Sequence, residues 1–274
     1  TSQVGATWGL AYQRSTKTLF AAAFLKRHVG FQQQGKTGVI YKVQDPQGTP
    51  TTTAYVDLDS LGFDTGTDSH PADNADTTLW QQDDNSWDAV GKVGLGGLAL
   101  SADEQTLWTV NLFDRKLYAV PVQSTPLQST DIVSYTIPNP CSSDVDFRPF
   151  ATTFQDGKVY VGVTCTGESS ASSYAGGQIL APNHVGDRSL LSAYVYSFDP
   201  TTVAFTQELT IPLTYPRQDA IKSVSHLSPG TWNPWVPTFV AYQNENNPVA
   251  CTLDRAYPQP WLTDIVFDNG NMIL

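Results

Sequence analysis

Four stretches of this chain repeat one phrase, and a repeat unit that cannot bury its own apolar face constrains the fold more than any single residue does. They are residues 8–24 (WGLAYQRSTKTLFAAAF), 95–112 (LGGLALSADEQTLWTVNL), 149–165 (PFATTFQDGKVYVGVTC) and 261–274 (WLTDIVFDNGNMIL). Each opens with a short apolar strand carrying small residues near its start, turns on a polar tetrad, and returns through aromatic and β-branched residues. The turns at 155–158 (QDGK) and 268–271 (DNGN) hold Asp-Gly and Asn-Gly, which supply the positive φ that tight hairpins need.

A third strand follows three of the hairpins, at 38–44, 116–122 and 192–198, and fourth-strand candidates lie at 51–58, 131–137 and 203–211. Strand, tight turn, strand, loop, strand, strand is the unit of a four-stranded propeller blade. The sequence therefore predicts an all-β fold, a β-propeller with at least four blades visible, in a single domain over 1–274 that continues past Leu274. Long loops are expected at 45–92, 166–191 and 217–260, the last with room for a degenerate blade around 237–243. A β-sandwich is the competing architecture. In a propeller, Leu10, Leu98 and Ile265 should all face packed interiors.

Charged residues are only 15% of the chain and the net charge is -11, which excludes attraction to a nucleic-acid backbone or an anionic membrane surface. No run approaches the ~20 apolar residues of a membrane span. Of three cysteines, Cys141 and Cys165 flank one strand pair and form a candidate disulfide, leaving Cys251 odd. No CxxC spacing suggests zinc.

Residues 26–28 (KRH), 93–101 (VGLGGLALS), 110–120 (VNLFDRKLYAV), 148–154 (RPFATTF), 157–163 (GKVYVGV) and 262–274 together resemble the amino-terminal propeller-like regions of large bacterial secreted proteins that carry SdrD B-like or immunoglobulin-like repeats. The resemblance implies an exported, surface-associated display or adhesion module and brings no catalytic residues with it. Relatives of that kind carry Gly-Asp where this chain has Gly96-Gly97, so a ligand role there is not expected. They also continue into Gly-x-Arg-Asp-Arg after the last phrase.

Three groups of residues could carry chemistry. Nine aspartates lie between Asp57 and Asp88, and Asp57, Asp59, Asp64 and Asp68 are the candidate ligands of a calcium ion, the one cofactor considered, although surface solvation explains most loop aspartates. Lys26, Arg27 and His28 follow an inner strand, which puts them at one mouth of a propeller as candidate anion or glycan contacts. Trp232 and Trp235, in the Pro-rich segment 228–237, are candidate sugar-stacking planes. Carboxylates at blade starts (Asp144, Asp146 and Asp264) could hold a channel metal as propeller hydrolases do. The matching positions in the first two repeats are glycines, however, and no G-x-S-x-G or H-E-x-x-H is present.

The expected function is thus a non-enzymatic, extracellular structural or adhesive module of a bacterial surface or matrix protein. Its partners would be neighbouring domains of the same protein, copies of itself, or glycans. A glycan- or ligand-binding module and a calcium-dependent propeller hydrolase are the alternatives.

Overall fold

A computed structural model describes residues 4–71, 83–124, 126–171, 186–217, 231–237 and 258–274. The proposed strand at 237–243 after Pro237, Asp73 and Asp76 of the acidic loop, His184, His226 and Cys251 lie outside them.

Fourteen strands are described, and they form sheets in chain order. The first sheet runs β1 (Thr7–Gln13), β2 (Thr18–Ala23), β3 (Val39–Gln44), β4 (Thr51–Asp57). The second runs β5 (Leu95–Leu100), β6 (Thr106–Asn111), β7 (Lys116–Pro121), β8 (Val133–Thr136), and the third β9 (Phe147–Gln155), β10 (Lys158–Cys165), β11 (Ser192–Asp199), β12 (Ala204–Pro212). β13 (Val266–Asp268) and β14 (Asn271–Ile273) form a separate two-stranded hairpin. All pairings are antiparallel, and each hairpin lies where the repeated phrase predicts it.

The first strands of successive sheets pack on one another, β1 against β5 and β5 against β9. Glycine makes this approach possible. A β-carbon at Gly9 would lie 2.6 Å from the Leu98 nitrogen, one at Gly96 2.7 Å from the Phe150 oxygen, and one at Gly97 2.5 Å from the Thr152 nitrogen. Each first strand also carries a bulge at the equivalent place: the register slips between Thr7 and Leu10, between Leu95 and Leu98, and in β9 opposite Val161 and Val163. An extra residue there bends the strand and raises its twist. The small residues near each repeat start are therefore packing devices.

Between the first and second sheets the buried side chains include Phe20, Ile40, Leu58, Leu95, Leu98 and Leu107. Between the second and third they include Trp108, Val110, Leu117, Phe150, Val161 and Phe198. Ile265 and the hairpin's Phe267 and Met272 pack on Ala151 and Val195 of the third sheet.

Leu10 departs from expectation. Leu98 and Ile265 are buried, but Leu10 is 56% exposed, with Trp8 and Tyr12 exposed beside it. Side chains alternate across a strand, so Ala11 faces the second sheet while Leu10 points the other way. Leu98, its equivalent in β5, points back onto the first sheet. Leu10 belongs to the first sheet of the stack, and among the described residues no sheet lies on its outer face.

Cys141 and Cys165 are joined in a disulfide, with Cα atoms 5.4 Å apart. It ties the loop entering the third sheet to the end of β10. Among the described residues one short α-helix, α1 (Asp84–Ala89), interrupts the strands where the sequence shows no helical periodicity.

Candidate functional site

Trp261 opens the last repeat, and its ring stands against Phe150, 4.4 Å away at 64° between planes. Phe24 and Phe150 meet edge to face at 5.7 Å, and Trp8 closes on both. Above this aromatic cluster, at the ends of the first strands, opens a cleft of about 420 Å³.

Its walls come from four distant segments. The turn after β2 contributes Lys26 and Arg27, α1 contributes Trp87 and Asp88, and residues 90–92 contribute Val90 and Lys92. Trp235, Val236, Gln259 and Trp261 complete it.

Each wall is held by its own bonds. The Trp235 backbone N–H donates to the Thr166 carbonyl at 2.9 Å, and its indole N–H donates to the Pro260 carbonyl at 2.8 Å. Val236 N–H donates to the Gln259 side-chain oxygen at 2.7 Å. The Trp235 and Trp261 rings meet at 86° with centroids 5.5 Å apart. Gly91, at φ +77°, lies under both: a β-carbon there would sit 2.8 Å from Trp235 and 2.9 Å from Trp261. The buried Trp261 indole N–H has no hydrogen-bond partner among the described residues.

The polar side is cationic in a chain of net charge -11. Arg27 lies 5.9 Å over the Trp87 ring. Lys92 Nζ pairs with Glu168 at 2.5 Å, and the other Glu168 oxygen accepts from Arg148 at 3.1 Å. Burial pulls Arg148 down, and the Glu168 charge opposes that. Asp88 is the one carboxylate of the lining among the described residues.

Behind the cleft sits a buried junction. His70 Nδ1 lies 2.7 Å from Asp68 Oδ1, and His70 Nε2 lies 3.0 Å from the Lys26 carbonyl oxygen. Asp83, the residue before α1, accepts from His28 N–H and from the Ser86 hydroxyl, both at 2.6 Å. Burial works against a charged imidazole, but the bonds to Asp68 and Lys26 and the charges of Asp68 and Asp83 outweigh it, and His70 is held above its ordinary value. Asp68 is held below its own: burial raises it, and the bonds from His70 and from Gly35 N–H prevail.

Of the sequence candidates, Lys26, Arg27 and Trp235 line this one cleft. His28 is not in the lining; it adopts φ +66° and gives its backbone N–H to Asp83. Trp232 stands elsewhere, with Arg217 4.4 Å over its ring and its N–H on the Tyr215 hydroxyl.

The four candidate calcium ligands do not meet at one point. Asp57 accepts from Lys36 and Ser60, and Asp59 from Thr37 and Thr65. Asp64 caps Gly66 N–H, and Asp68 is taken up by His70 and Gly35. Among the described residues no three His, Cys, Asp or Glu are grouped to hold a metal. Asp146 is buried on Ser169, Asp144 accepts from Asn139, and Asp264 caps Ile265 N–H.

Sequence reading missed Trp87, Gly91, Lys92, Gln259 and Trp261. Only Trp261 carried a signal, standing at the start of the last repeat as Trp8 does at the first.

No family model matches this chain. Among curated proteins it is similar to three colossins of Dictyostelium discoideum. It is 29% identical to Colossin-A over 276 residues, covering 98% of this chain and 2% of that protein. It is 27% identical to Colossin-D over 278 residues, covering 99% of this chain and 24% of that protein. It is 26% identical to Colossin-C over 188 residues, covering 68% and 15%. The chain therefore spans a small part of each relative. These matches correct the expected kinship with bacterial SdrD B-like proteins: the similar proteins are eukaryotic. Short phrases dominated by turn residues and alternating strands recur wherever antiparallel hairpins do, so they discriminate poorly between lineages. Among solved structures, the chain is similar to a periplasmic gluconolactonase of Pseudomonas aeruginosa, at TM-score 0.34 and 14% identity over 79% of this chain and 60% of that one. It is also similar to a protein of Bacteroides uniformis described as a 6-phosphogluconolactonase, at TM-score 0.26 and 9% identity over 77% and 73%. Likenesses this slight decide neither the fold nor an activity.

Proposed function

We propose that this chain is a non-enzymatic, extracellular adhesion or display module, built as part of a β-propeller, whose cleft binds a saccharide. The observation that carries the reading is the cleft itself, where Trp87, Trp235 and Trp261 converge with Lys26, Arg27 and Gln259. Indole planes cover the C–H faces of a sugar ring, and an amide and cationic donors satisfy its hydroxyls or a carboxylate. Its volume of about 420 Å³ lies within the range of small-molecule sites, ~300–1,000 Å³.

The propeller reading is supported by sheets in simple chain order, by first strands stacked face to face, and by the bulge repeated in each. A closed ring of such sheets would cover the apolar face at Leu10 and Tyr12, which is exposed among the described residues. The disulfide Cys141–Cys165 supports export, since such bonds persist in oxidising compartments. The non-enzymatic reading is supported by Asp88 being the one carboxylate of the lining among the described residues; glycoside hydrolysis generally needs a pair.

The test is a panel of neutral and acidic oligosaccharides screened by intrinsic tryptophan fluorescence. Saturable quenching by a subset, lost in Trp87→Ala, is the expected result. An unchanged emission with every member of the panel at millimolar concentration would overturn the reading.

A further inference from the structure

His70 is a buried ring whose two nitrogens both face oxygen acceptors. Its side chain is 1% exposed. Nδ1 faces the Asp68 carboxylate at 2.7 Å and Nε2 faces the Lys26 carbonyl at 3.0 Å. A carbonyl oxygen only accepts. The Asp68 carboxylate also accepts, because its other oxygen already takes the Gly35 N–H at 2.9 Å. A neutral imidazole has one N–H and satisfies one of these partners; the imidazolium satisfies both. Asp83 Oδ2 lies 3.7 Å from Nε2 and adds a second negative charge, and the Phe31 ring packs edge-on at 5.8 Å.

Two of these partners, the Lys26 carbonyl and Asp83, connect to walls of the cleft. The Lys26 carbonyl closes its turn by accepting from Val29 N–H at 3.2 Å, and that turn presents Lys26 and Arg27. Asp83 holds His28 N–H on one oxygen and Ser86 on the other, so it joins the same turn to the helix presenting Trp87 and Asp88.

We propose that His70, as an imidazolium, is the positioning residue of the cleft, tying the Lys26–His28 turn to Asp68 and to the start of α1. The proposal rests on the reading of the cleft as a binding site and concerns the spacing of its walls. When the ring loses a proton, Asp68 keeps the Nδ1 hydrogen and Nε2 turns a lone pair toward the Lys26 carbonyl. The turn then loses the tie through His70, with Asp83 still holding His28 N–H, and Lys26 and Arg27 shift relative to Trp87.

The experiment follows the His70 ring nitrogens and the Trp87 indole N–H by NMR across pH 5 to 9, in the whole chain, for the wild type, His70→Gln and Asp68→Asn. Both ring nitrogens of His70 should be protonated on the acid side, and the Trp87 signal should move with the same midpoint. In Asp68→Asn, which keeps the shape of the side chain, that midpoint should fall and Trp87 should follow it. In His70→Gln the Trp87 titration should vanish, and affinity for a saccharide that binds the wild type should fall about tenfold, the equivalent of one hydrogen bond to a charged group. A Trp87 signal that ignores the His70 midpoint in both wild type and Asp68→Asn overturns the tie. Undiminished saccharide affinity in His70→Gln also overturns it and leaves the binding reading standing. If no saccharide binds while Trp87 still follows His70, the tie stands and the saccharide reading falls.

Discussion

Gly97 in β5 approaches Thr152 in β9 so closely that a β-carbon on it would lie 2.5 Å from the Thr152 nitrogen. Backbone cannot move aside as the end of a flexible side chain can. Gly97→Ala should therefore force the second and third sheets apart and cost about 1–3 kcal/mol, the usual range for overpacking. Urea unfolding checks this, and an unchanged midpoint would contradict the close stacking of first strands.

Leu10 and Leu98 hold equivalent places in β1 and β5 but have opposite environments. Leu98→Ala should cost about 2–5 kcal/mol, whereas Leu10→Ala in this chain should stay within about 0.5 kcal/mol. Equal losses would mean that the outer face of the first sheet is covered.

Removing the disulfide frees a loop between residues separated by 24 positions. Cys141→Ala should lower stability by about 3 kcal/mol. Thermal melts with and without reductant should give the same difference for the wild type and none for the variant.

The His70–Asp68 pair sets a pH window. His70 is raised when folded, so its contribution is full below 6.5, its ordinary value, and is lost as pH rises through the higher folded value. Asp68 is lowered when folded, so its contribution is full above 3.8 and is lost as pH falls through the lower folded value. Stability from this junction should be greatest between those two ordinary values. Denaturant melts from pH 4 to 9 should fall on the alkaline side in the wild type, and that decline should be absent in His70→Gln.

How much of this was legible follows from what each feature depends on. The hairpins were, because Asp-Gly and Asn-Gly turns and the alternating strands beside them are local signals. Gly9 and Gly97 stood out as small residues, but their close approaches to Leu98 and Thr152 across the sheets did not. Leu10 was misread because its burial depends on a neighbouring sheet and not on β1. Lys26 and Arg27 could be suspected from their place after an inner strand. Trp87, Gly91 and Gln259 could not, since the cleft gathers four segments scattered over the chain and only the stacking of sheets brings them together. His70 gave no signal beyond the nearby Asp68, because its second partner is a backbone carbonyl.

The most direct test of the central claim is calorimetric titration of the best oligosaccharide from the fluorescence panel into wild type and Trp235→Ala. The account predicts one saturable site in the wild type and at least about tenfold weaker binding in the variant, as loss of a stacking plane and its packing implies. Equal affinity in the two proteins, with both folded, would contradict a saccharide site in this cleft.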